Sequence, residues 1–298
     1  MRPILKAAVL CGLLGALFAA PAPSETPTQL LYVSTKGGNA DVYLVNADGS
    51  GAKNLTEHKS ENTFPCWSPD GKKIAFTSDR SGALNIFVMD ADGKNVKALT
   101  AENENCRAPA WSPDGKKIAF TRHVGGGSPD IFVMDADGKN PTNLTNDPGY
   151  DADAAWSPDG KKIAFASLRG NNAGFRVYVM DADGKNVTEL TTTDNAFGFV
   201  YPSWSPDGKK IAYADAVGDT TEIFAIDADG KNAKQLTRLG ARNSYATWSP
   251  DGKKIAFYHG DGEASSLYVM DADGGNAKEV IAKAEIPAEG GRIAWRPK

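Results

Sequence analysis

Hydrophobic and polar positions alternate along most of the chain with a period of two. Lys117–Arg122 (K-I-A-F-T-R) and Asp130–Asp135 (D-I-F-V-M-D) are typical. Their β-branched and aromatic residues and their Gly, Pro and Asp boundaries predict short strands. Helical periodicity is absent. Residues 106–145 are predicted to hold a strand at Ala108–Ser112, a turn at Ser112–Gly115 and a second strand at Lys117–Arg122. A third follows at Asp130–Asp135, then a hairpin at Ala136–Gly138 and a short fourth strand at Pro141–Thr145. In the turn Pro presets φ, Asp caps its own backbone and Gly takes the left-handed exit.

The pattern is itself repeated. Trp67, Trp111, Trp156, Trp204, Trp248 and Trp295 follow one another at 44 to 48 residues. The first five open W-S-P-D-G-K-K-I-A-[FY]; the sixth reads Trp295-Arg296-Pro297-Lys298. The element I-F-V-M-D-A-D-G recurs in step, at Val42–Gly49, Ile86–Gly93, Ile131–Gly138, Val177–Gly184, Ile223–Gly230 and Leu267–Gly274. Four strands in a unit of about 45 residues is the arithmetic of a propeller blade. The expected fold is an all-β, six-bladed β-propeller with four antiparallel strands per blade. Leu30–Ser34 aligns with the second strand of a unit and Ile293–Trp295 with the first. The ring is therefore expected to close by N- and C-terminal strands sharing one blade. The six tryptophans are read as structural, packed between neighbouring blades, where each buries a large apolar area.

The first residues break the pattern. Arg2 and Lys6 precede an apolar run of 14 residues, Ala7–Ala20, too short to span a bilayer. Residues 1–22 are expected to be a secretory signal peptide, 23–29 a leader and 30–298 the propeller. Leu10 stands before Cys11, where a lipoprotein signal has a small residue, so no lipid anchor is expected. The reading is a periplasmic or secreted protein. A formal charge of −4 without a basic run argues against nucleic acid. Cys66 and Cys106 sit four residues out of register in neighbouring units, beyond disulfide reach, and are expected to be free thiols.

The W-S-P-D-G-K-K-I-A-F, I-[FY]-V-M-D-A-D-G-K-N and L-T elements, taken together from Leu30 to Lys298, resemble the repeat of TolB-type propellers. That resemblance implies a non-catalytic binding or scaffold role in the Tol–Pal envelope system, with a protein partner such as peptidoglycan-associated lipoprotein held at the propeller mouth. TolB-type proteins carry an α/β domain before the propeller; here the repeats follow the signal directly, so contacts made through that domain are not implied.

The units also act as one another's controls. Near-identical S-P-D-G and D-A-D-G turns read as scaffold. The connections leading into each Trp strand, and those between second and third strands, vary and lie on the opposite face, where binding usually sits. Three and four residues before the tryptophans the chain offers Phe64, Arg107, Asp153, Tyr201, Tyr245 and Arg292, with Tyr150, Phe199 and Arg242 slightly further out. Aromatic and Arg side chains of this kind favour an interface core, so these nine are the candidate partner-binding residues. No catalytic residue, cofactor or metal is expected. His58, His123 and His259 read as solvated loop residues, and D-A-D-G lacks the calcium-loop spacing. The alternative is a glycan- or peptide-active enzyme using Asp151 and Asp153. With polar outer strands carrying Lys97, Lys234 and Lys278, the chain is expected to be a monomer without a transmembrane span.

Overall fold

The computed structural model describes residues 28–101, 104–123, 125–170, 173–192, 200–260, 264–287 and 291–298, with 264 and 283–287 described by backbone alone. Residues 1–27, which take in the expected signal peptide (1–22) and most of the expected leader (23–29), lie outside the described residues, as does Phe199; Gln29 already belongs to the first strand. All regular structure among the described residues is strand, and the fold is an all-β propeller. In the unit read above the strands are Cys106–Trp111, Lys117–His123, Pro129–Asp135 and Thr142–Asn143, close to the expected limits.

Four sheets have four strands each and a fifth has eight, where the repeat predicts separate four-stranded sheets throughout. The difference is local. Thr221 and Arg242 form one parallel pair that joins the sheet beginning at Ser203–Trp204 to the next. At that pair Thr221 N–H donates to Ala241 O (3.2 Å), and Asn243 donates its N–H to Thr221 Oγ1 (3.0 Å) and its side-chain amide to Thr221 O (2.8 Å) and Glu222 Oε2 (3.0 Å). The incoming chain is thereby drawn against the preceding hairpin. At the closure, Ala294–Trp295 pairs with Leu30 and Leu31. Arg296 N–H donates to Gln29 O (2.8 Å), the bond that Ser68 N–H makes to Lys73 O (2.9 Å) in the next sheet.

The recurring residues each have a structural task. In the turn after Trp111, Ser112 Oγ donates to Asp114 and accepts from Lys117 N–H (2.9 Å), while Gly115 sits at φ 70°. In D-A-D-G, Asp137 Oδ1 accepts Lys139 N–H (3.1 Å) and Asp135 takes Asn140 (2.7 Å) and Lys117 (3.2 Å). Gly138 has φ 93°, and a Cβ there would lie 2.5 Å from Leu99 O of the preceding unit. The same approach repeats between Gly93 and Leu55 O (2.5 Å) and between Gly184 and Leu144 O (2.6 Å). The hairpin of one unit is thus stapled to the outer strand of its neighbour. The Thr of L-T is polar for a reason: Thr145 Oγ1 accepts Ile131 N–H (3.0 Å) and donates to Asp130 (2.9 Å).

The core lies between sheets rather than within one. One cluster joins Ala110, Ala119, Ile131 and Val133 of one unit to Ile163, Phe165, Tyr178 and Met180 of the next. Burial on both faces explains why the alternation is softened to I-A-F and I-F-V-M runs. Cys66 and Cys106 are free and buried. Burial pushes their thiols up to about 11 and about 12, so both are inert at neutral pH.

Candidate functional site

Four inner strands break step just before their Trp. Register shifts separate Thr63 from Cys66, Arg107 from Ala110, Ala152 from Ala155 and Ser244 from Thr247. The residue three before the Trp takes a left-handed φ: Phe64 (50°), Ala108 (53°), Asp153 (57°), Tyr201 (46°) and Tyr245 (55°). A bulge of this kind re-aims a side chain. In the sixth repeat Gly291 has φ 76° and takes the positive angle in place of Arg292.

These positions converge on the ring axis. Tyr201 and Tyr245 stack with centroids 3.7 Å apart, and Phe64 meets Tyr245 edge-on at 6.1 Å. Arg292 reaches across, donating from Nη1 to Pro109 O and from Nη2 to Ala154 O, both at 3.1 Å. Asp153 is buried here, and that burial raises its pKa against the opposing pull of Arg292 and then Arg107. On the turn side of this plug lies a cavity of about 360 Å3. All six tryptophans line it, together with Tyr201, Tyr245 and Arg292 and the turn prolines. Trp156, Trp204 and Trp295 donate their indole N–H to Ala110 O, Ala155 O and Thr247 O of the preceding units (3.0–3.1 Å). The tryptophans thus pack between units, and they also wall the axis on the face opposite the variable loops.

The remaining candidates sit toward the loop face. Ala108 takes the axial position of its unit, which leaves Arg107 beside it with its guanidinium 5.6 Å from the Tyr150 ring. Tyr150 also meets His123 edge-on at 6.2 Å and Phe175 at 5.6 Å. Arg107, His123, Tyr150 and Phe175 therefore form one half-buried rim cluster. His123 is not a solvated loop residue: it ends a strand, and burial, then Arg107, lowers its pKa. His259 likewise lies in a strand, its Nδ1 3.0 Å from Asn243 Oδ1 and its ring 5.2 Å from that of Tyr268. Phe175, His123 and the two carbonyls that hold Arg292 carry no motif and were invisible to spacing. Arg242 is exposed at the rim, whereas Asp153 and Tyr245 are buried.

Both carboxylates of the candidate pair, Asp151 and Asp153, are buried. Asp151 is fully buried, and its Oδ2 accepts Arg169 Nη2 at 2.7 Å. Burial raises the pKa of Asp151, with Ser167 and Arg169 opposing. Among the described residues no cluster of His, Cys, Asp and Glu could hold a metal ion.

Comparison with known proteins gives a consistent picture. The sequence profile of the TolB beta propeller domain matches residues 12–107, 97–199 and 197–290. The Tol-Pal system protein TolB of Geobacter sulfurreducens is 37% identical over 46 residues, 15% of this chain and 11% of that protein. The crystal structure of TolB from Acinetobacter baumannii superposes with a TM-score of 0.77 at 28% identity, over 91% of this chain and 67% of that one. A putative TolB from Agrobacterium tumefaciens shares the fold, with a TM-score of 0.72 at 23% identity, over 90% of this chain and 92% of that one.

Proposed function

This chain belongs to the TolB beta propeller domain family, and from that premise we propose that it is an exported, non-catalytic binding module. Its partner is a protein of the Tol–Pal envelope system, of the peptidoglycan-associated lipoprotein class. The partner docks on the loop-bearing mouth of a six-bladed ring.

The observation that carries this reading is a contrast within the repeat. Turn residues recur with the same contacts from unit to unit, whereas the bulged position before each Trp and the loops around it do not. Natural repeats that vary at one face present their binding surface there. The best-placed contacts are Arg107 and Tyr150 at the rim, with Phe64 and Tyr201 at its centre. Export rests on residues 1–22, and no helix among the described residues is long and apolar enough to cross a membrane. The count of six rests on the single strand pair that merges two four-stranded units, and on inner strands that touch in succession from Asn62–Trp67 round to Ala294–Trp295. The burial of Asp151 speaks for binding over the enzymatic alternative.

The test is calorimetric titration of the exported form with the soluble domain of a peptidoglycan-associated lipoprotein. Arg107→Ala/Tyr150→Ala is expected to weaken binding about tenfold or more, as loss of an aromatic–Arg anchor does. Absence of binding by the native protein sinks the partner class. Undiminished binding by the double variant sinks the placement of the site.

A further inference from the structure

The axial cavity on the turn face is unused by that function. Its walls are the six indoles with prolines, Tyr201, Tyr245 and small residues such as Ser203 and Thr247, and Arg292 is its one charged lining residue. That guanidinium carries five N–H donors, of which two sites go to the carbonyls of Pro109 and Ala154. Among the described residues it forms no ion pair within 4 Å, although two guanidiniums, Arg292 and Arg107, act on the single buried carboxylate of Asp153. The axis therefore carries a guanidinium with donors to spare at the floor of an aromatic chamber. The chamber is set in place: Trp156, Trp204 and Trp295 are tied to neighbouring strands through their indole N–H groups. Its volume of about 360 Å3 lies at the small end of ligand sites, which run from about 300 to 1,000 Å3.

We propose that this tryptophan-walled axial cavity is a binding site for a small aromatic anion, a flat apolar body carrying one carboxylate or sulfonate, with the body among the indoles and the anionic group on Arg292. Aromatic walls reward a flat apolar ligand through burial and offset stacking. A guanidinium recognises a carboxylate by paired, charge-assisted hydrogen bonds. A cation of the same shape meets Arg292 with like charge, and a neutral analogue gains the walls alone. Ligand entry is from the turn face, so this site and the protein-binding mouth are separable.

The experiment is a charge series on one ring system: 1-naphthaleneacetate, 1-naphthaleneacetamide and 1-naphthalenemethylamine, titrated by calorimetry into the full exported chain. The acetate is expected to bind about tenfold tighter than the amide, and the amine weakest. Arg292→Gln is expected to bring acetate and amide within about twofold of each other while the amide keeps its native affinity. Ser203→Phe, which fills the chamber from a lining position, is expected to weaken all three. Equal binding of the three probes by the native protein overturns the proposal, as does an anion preference that survives Arg292→Gln. Absence of any binding overturns it too. Should Arg292→Gln not fold, the native charge series and Ser203→Phe decide. None of these readouts involves the lipoprotein, so failure here leaves the mouth untouched.

Discussion

The two faces of this propeller obey different rules. On the turn face one residue has one task wherever it occurs. Ser112, Ser157, Ser205 and Ser249 each hold the Asp two residues on. Gly93, Gly138, Gly184 and Gly274 each lie under a Leu carbonyl of the preceding unit. At the axis, on the loop side, the same backbone bulge presents Phe64, Ala108, Asp153, Tyr201 and Tyr245. Identical geometry filled by different chemistry marks where the chain was free to diversify. Identical geometry filled by identical chemistry marks where the ring would fail.

The strongest way to break this comparison is to exchange a glycine on each side of it. Gly138→Ala places a Cβ 2.5 Å from Leu99 O at φ 93°. Neither atom is a mobile side-chain end, so the hairpin must move from its neighbour, at a cost of about 3 kcal/mol. Gly125→Ala in a variable loop also has a positive φ, 57°, but nothing lies within 4 Å, and about 1 kcal/mol is expected. Urea unfolding of the two variants measures the gap, and equal losses would remove the distinction between the faces.

A second test keeps shape and removes a polar group. Thr145→Val leaves Ile131 N–H without its acceptor and takes a donor from the buried Asp130 carboxylate. A buried group left unpaired costs about 1–3 kcal/mol, so a loss near 2 kcal/mol is expected by the same method. A neutral result would show the L-T threonine to be incidental to the repeat.

How legible all this was depends on whether a residue is repeated. Strand positions, both turns and the closure by Ala294–Trp295 on Leu30 and Leu31 follow from alternation and register. The merger of two units at Thr221 and Arg242 does not: Asn62 holds the same place before Trp67 as Asn243 before Trp248, yet only the second joins two sheets. The placing of Phe64, Tyr201 and Tyr245 near the axis was readable from their offset to Trp. In the second repeat the bulge gives the axial place to Ala108, one residue after Arg107, which the offset alone does not reveal. The ties of Arg292 to two carbonyls, 183 and 138 residues away, leave no trace in any local pattern. The chamber of tryptophans was hidden for the opposite reason: a residue repeated in every unit reads as scaffold, even where the ring brings all its copies to one cavity.

The smallest expected effect is the most informative about the axis. Burial raises the pKa of Asp153 above its ordinary value, although Arg292 and Arg107 pull the other way. A carboxyl whose folded pKa is raised holds its proton more tightly in the native state than in the unfolded chain. Its contribution is therefore whole below the ordinary carboxylate range and is lost as pH rises through the folded value. Asp153→Asn keeps the shape and cannot ionise. Its thermal midpoint should match the native protein at about pH 3 and exceed it at about pH 7. If the variant is instead the less stable at neutral pH, guanidinium attraction outweighs burial. Arg292 would then be engaged by the Asp153 carboxylate, and the argument for an anion on it would weaken. The two measurements, one on stability and one on ligand, thus bear on the same question from independent sides: whether the charge at the centre of the ring is already satisfied by the protein.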